Sequence, residues 1–135
     1  MTKNLVWLFG IIFVIVGVLG FIPGNKIVGE GALFEANPLH SVIHLLSGVI
    51  AIAAAVSGEA MARNYLRIFG VVYALVAVLG FTVGSSGDLF GIITTNAADN
   101  WLHVVLAIVF LWAGFMGSKS VMAPASGSSM MGQMK

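Results

Sequence analysis

The chain has 135 residues, a formal net charge of +1, 59% hydrophobic residues and only 8% charged residues. One domain fits that length, but so little charge excludes a conventional water-soluble surface. The absence of cysteine excludes disulfides, thiolate metal sites and thiol nucleophiles. With no cluster of Lys and Arg, nucleic acid is excluded as a partner.

Four apolar segments carry the hydrophobicity, and a backbone crossing lipid must satisfy its own hydrogen bonds, so each is read as a helix. The first runs from Leu5 to Ile22. It starts like a secretory signal, with a basic residue before an apolar body. It lacks a small-x-small cleavage motif and further spans follow, so it reads as a retained helix. Its "IIFVIV" run suits a buried strand, but the segment is too long for one. The second span, Leu39 to Val56, follows Asn37 and Pro38, a helix-start pair in which Asn caps free amides and Pro suits the first turn. The third runs from Leu66 to Val83, with Arg67 at its edge. In the tight connection before it, Glu59, Arg63 and Arg67 are spaced for helical pairing. The fourth, Trp101 to Met116, needs adjusted ends or extension to Ser118 to cover the roughly 20 residues of a bilayer crossing. The tail "APASGSSMMGQMK" has no periodic apolar face, and its Met pair has no Cys or His neighbour to complete a soft-metal site.

The expected fold class is therefore all-α: a four-transmembrane-helix bundle built from two tandem helical hairpins in parallel orientation. Residues 1–119 form the membrane domain, with repeats at about 5–57 and 66–118, and residues 120–135 form a flexible cytoplasmic tail. With four spans, Lys3, Arg63, Arg67, Lys119 and Lys135 fall on one side and Lys26 on the other. The positive-inside rule then places both termini in the cytoplasm, in a multi-pass inner-membrane protein.

The duplication is direct. "FGIIFVIVGVLGF" from Phe9 matches "FGVVYALVAVLGF" from Phe69 at an offset of sixty. The second and fourth spans match at fifty-nine, pairing Asn37 with Asn96, His40 with Asp99 and His44 with His103. Gly10, Gly17, Gly20, Gly70 and Gly80, with the stripe of Ser47, Ala51 and Ala55, are expected to let helices pack closely. Most of that packing is expected within the chain, although a homo-oligomer or another membrane protein is a second use for such faces.

"NPLHSVIHLL" and "NAADNWLHVV" begin the second and fourth spans. Asn37, Asn96 and Asp99 have ready roles as helix caps, and Trp101 and Trp7 suit the interfacial belts. His40 and His44 share a helix face, as do Asp99 and His103. If the matching faces turn inward, three imidazoles and a carboxylate meet just below the outer surface. That set suits zinc or another divalent metal, with Asn100 or a loop carbonyl holding the rings from behind. The competing structural reading has His44 and His103 bonding across helices to hold the hairpins in register, with His40 facing water. A proton-responsive role is a third. Haem through His44 and His103 needs a ring-sized gap that these bulky spans do not suggest. No catalytic triad, phosphate loop or selectivity filter is present in the sequence.

"FGVVYALVAVLGF", "NAADNWLHVVLAIVFL" and "NPLHSVIHLLSGVIAIAA" together resemble a family of small bacterial four-helix membrane proteins known only as a domain of unknown function. The resemblance covers roughly residues 5 to 118. It implies family positions at Asn37, His40, His44, Asp99, Asn100 and His103, with Gly10, Gly20, Gly70 and Gly80 as packing sites. The family pattern has an Asn where Ser41 stands, which weakens a polar role there. It implies the fold and no reaction. The sequence thus points first to a structural or binding role in the lipid bilayer, without catalysis or cofactor. The alternative is a metal-binding or proton-responsive protein using His40, His44, His103 and Asp99.

Overall fold

The computed structural model describes residues 1–83 and 88–116. The expected tail over 120–135, with Lys119 and Lys135, lies outside the described residues.

Four helices dominate: α1 (Thr2–Leu19), α2 (Pro38–Val56), α3 (Glu59–Thr82) and α4 (Ala97–Met116). All four are long and apolar enough to cross a membrane. Their outward faces carry large apolar side chains, among them Ile15, Val49, Val78 and Ile108. This is the reverse of a soluble surface and fits lipid as the solvent. The chain is a multi-pass membrane protein.

Two helix starts differ from the hydropathy limits. α3 begins at Glu59 rather than Leu66, because only Ser57 and Gly58 separate it from α2, and Gly58 makes the turn at φ +115°. Glu59, Arg63 and Arg67 therefore all lie on α3, where the Glu59 carboxylate takes the Met1 amine at 3.0 Å. α4 begins at Ala97 and so gains a polar first turn that hydropathy alone misses.

The hairpin mouths contain short strands that an all-helical reading does not anticipate. In the first, β1 (Val28–Gly29) pairs in parallel with β2 (Phe34–Glu35). Asn25 organises this loop: its amide donates to the Leu19 carbonyl at 2.7 Å, and its oxygen accepts from the Ile27 amide at 2.8 Å. In the second mouth, β3 (Asp88–Leu89) pairs antiparallel with β4 (Ile93–Thr94) through a turn that holds Phe90 at φ 54°.

Packing is dense within each hairpin and sparser between them. In the first, a Cβ on Gly10 would meet Ile52 and Ala51, and one on Gly17 would meet Leu45. In the second, a Cβ on Gly70 would meet Leu111. The glycines thus permit α1–α2 and α3–α4 approach inside the chain. Gly20 and Gly80, equivalent in the repeat, sit against Ser41 and Asn100, which are also equivalent. Between the hairpins lies an aromatic core in which Phe9 meets Phe110 edge-on at 4.8 Å and Phe13 meets Tyr73 at 5.7 Å. Tyr65 adds a cross-hairpin hydrogen bond to the Ser47 carbonyl at 3.1 Å.

Candidate metal centre

The site is built on the first two turns of α2 and α4. Asn37 Oδ1 accepts from the His40 amide at 2.9 Å, closing the α2 cap. At α4 the cap is reciprocal: Asn96 Oδ1 accepts from the Asp99 amide, and Asp99 Oδ2 accepts from the Asn96 amide, both at 3.0 Å. Each capping Asn also crosses to the other repeat. Asn37 donates to the Ile92 carbonyl at 2.7 Å, and Asn96 donates to the Leu33 carbonyl at 2.9 Å. These two bonds are images of each other in the duplication, and they set the rotation of both helices.

That rotation turns His40, His44 and His103 inward, where each is more than nine-tenths buried. One ring nitrogen from each lies within 4.8 Å of the other two. His40 Nδ1 meets the Thr94 carbonyl at 2.8 Å, and His40 Nε2 meets His44 Nε2 at 3.1 Å. A carbonyl can only accept, so Nδ1 of His40 carries the proton, and in the neutral ring Nε2 presents a lone pair. This is how metal-bound imidazoles are held, with the far N–H on a backbone carbonyl. Tetrahedral zinc with bonds of about 2.0–2.1 Å needs ligand nitrogens roughly 3.3 Å apart, close to the observed His40–His44 spacing. An ion held there by His40 and His44 would replace the proton their Nε2 atoms share, which His44 would then carry on Nδ1.

Aromatic rings wall the cluster on its inner side. Phe13 stacks on His44 at 5.9 Å, and its repeat equivalent Tyr73 stacks on His103 at 5.6 Å. The imidazole planes are therefore fixed by packing. Buried polar atoms without a hydrogen-bond partner gather near these helix starts: Ser41 Oγ, Thr95 Oγ1, Asn100 Oδ1 and His103 Nδ1, among the described residues. Unmet polar capacity in a buried place is costly and marks where a ligand or water belongs. The cation would face the positive ends of α2 and α4. Asp99 and the carbonyl ends of α1 and α3, at the same end of the bundle, offset that field.

The sequence residues are distributed as follows. His40 is buried beside the loop of the other repeat and does not face water. Asp99 adjoins the cluster, but its Oδ2 already accepts from Asn96 and from the Glu35 amide at 3.0 Å. Among the described residues, the group close enough to share an ion is His40, His44 and His103. The Thr94 carbonyl supports a ring from behind, whereas Asn100 packs against Gly80. The His44 and His103 rings lie stacked with centroids 6.5 Å apart, and Phe13 and Tyr73 stack on them in turn. Sequence reasoning missed the stacking partners. The signal was present, because Phe13 and Tyr73 are aromatic at equivalent repeat positions.

Fold and site together define a four-helix membrane protein, made of repeated helical units, with a buried three-histidine cluster capable of coordinating a metal ion. The chain belongs to the family described as Domain of unknown function (DUF4383), whose model matches residues 3–116. No curated protein and no solved structure matches it.

Proposed function

We propose that this protein binds a divalent transition-metal ion, with zinc as the reference case, through His40, His44 and His103. The observation that carries this reading is the buried triad of ring nitrogens within 4.8 Å, one of them on a His40 ring whose far nitrogen meets a backbone carbonyl. Nitrogen ligands without thiolate favour zinc, copper(II) or nickel over magnesium and calcium, which prefer oxygen. Asp99, the counterpart of the Thr94-facing His40 in the duplication, would offer a fourth, charge-neutralising ligand through the oxygen its cap leaves over. A structural role for the histidines accounts for the His40–Thr94 bond. It gives no account of three imidazoles converging with His103 Nδ1 left unpartnered.

The site sits at the end of the bundle formed by the α1–α2 and α3–α4 loops. The distribution of Lys3, Arg63 and Arg67 against Lys26 supports placing that end outside an inner membrane, with the amino terminus in the cytoplasm. Glycine packing inside each hairpin supports a role for Gly10, Gly17, Gly20, Gly70 and Gly80 within the chain rather than between chains.

Cobalt(II) titration of the detergent-solubilised protein tests the reading. Tetrahedral coordination by imidazole nitrogen gives visible ligand-field bands that saturate near one equivalent and are displaced by zinc. A titration that leaves only the spectrum of aqueous cobalt, with the protein folded by circular dichroism, overturns it.

A further inference from the structure

We propose that the ion clasps the two hairpins together, so that metal occupancy sets how firmly the repeats dock at their outer end. This rests on the metal-binding reading above and extends it from where the ion sits to what it does to the fold.

The ligands are divided between the repeats. His40 and His44 come from α2 in the first hairpin and His103 from α4 in the second. The His40–His44 pair is already at 3.1 Å, near the edge of a metal tetrahedron. With those rings presenting Nε2, the remaining slack up to 4.8 Å lies against His103, across the hairpin boundary. Closing it toward a tetrahedral edge of roughly 3.3 Å would draw His103 and the His40–His44 pair together across that boundary.

The boundary is suited to such control. Packing across it is sparse compared with packing inside each hairpin. At the outer end, four polar bonds cross it around the triad: Asn37 to Ile92, Asn96 to Leu33, His40 to Thr94, and the Glu35 amide to Asp99. Each joins a helix start of one repeat to the loop of the other. They open together if the hairpins part, and an ion held by ligands from both sides resists that parting.

The Glu35 amide is a direct reporter, because its acceptor Asp99 belongs to the opposite hairpin. The neighbouring Phe34 amide is a control, because it donates to the Ile27 carbonyl at 2.9 Å within its own loop. Residue-resolved hydrogen exchange by NMR on the full chain in detergent, with and without zinc, tests the clasp. Zinc bound is measured in the same samples. If parting requires metal release, zinc at 100 times its Kd slows Glu35 exchange about 100-fold and leaves Phe34 much less affected. Zinc bound with Glu35 exchange unchanged overturns the clasp and leaves the binding site standing. Equal slowing of Glu35 and Phe34 also overturns it, since that is ordering of the loop itself. No zinc bound removes the site and the clasp together.

Discussion

His40 and Asp99 occupy equivalent places in the duplication, and each reaches across to the same point on the other repeat's loop. His40 meets the Thr94 carbonyl at 2.8 Å, and Asp99 takes the amide of Glu35, the residue equivalent to Thr94, at 3.0 Å. The geometry is symmetric while the chemistry is not: one copy supplies an imidazole and the other a carboxylate. Asp99→Asn keeps an oxygen for the α4 cap and removes the charge beside the triad. The expected result is a zinc affinity lower by about 10–100-fold with the fold intact, read by competition calorimetry against a chelator of known affinity. Unchanged affinity would show that Asp99 serves the cap alone.

Gly20 and Gly80 are tested through their partners. A Cβ on Gly20 would fall on the Ser41 side chain, and one on Gly80 on the Asn100 amide. Overpacking at such contacts costs about 1–3 kcal/mol. Gly80 lies inside α3, so Ala there regains up to about 1 kcal/mol of helix propensity, which Gly20 at the end of α1 does not. Gly20→Ala is therefore expected to be the more damaging, by thermal unfolding in one detergent. Adding Ser41→Ala should recover only part of the loss, because the Ser41 Cβ itself lies 2.9 Å from the added carbon.

The capping asparagines do two jobs each, and their loss should exceed that of a simple cap. Asn37→Ala or Asn96→Ala removes a cap worth about 1 kcal/mol and a cross-repeat hydrogen bond worth about 0.5–1.5 kcal/mol. Because both bonds tie the same loops, the double variant should show non-additive loss. Equal and additive losses near 1 kcal/mol would mean that the cross-repeat bonds contribute nothing.

Orientation is accessible because the chain has no cysteine. In intact cells, Glu30→Cys in the first loop should react with a membrane-impermeant maleimide. Ser57→Cys between α2 and α3 should react only after the membrane is opened. The reverse pattern would turn the protein over and put the triad on the cytoplasmic side.

The fold was legible because its signals are strong and physical. Four apolar runs of membrane length, and matched "VLGF" endings sixty residues apart, leave few other architectures. The helix starts were legible at Asn37 and Asn96, since caps depend on local chemistry. The start of α3 at Glu59 escapes hydropathy, and only the i,i+4 spacing of Glu59, Arg63 and Arg67 signalled helix running into that connection. The site was half legible. His44 and His103 stood out as repeat partners, but burial of His40 depends on the Thr94 carbonyl. A carbonyl is common to every residue and leaves no mark in the sequence. Nor does spacing tell which oxygen of Asp99 its own cap consumes.

Metal stoichiometry tests the central claim most directly. The protein is purified in mild detergent, loaded with zinc and freed of excess by gel filtration, and zinc and sulfur are measured together by elemental mass spectrometry. The account predicts about one zinc per chain, falling to background when His44→Ala and His103→Ala are combined. Folded wild-type protein that retains no zinc, or a double variant that retains as much, would contradict it.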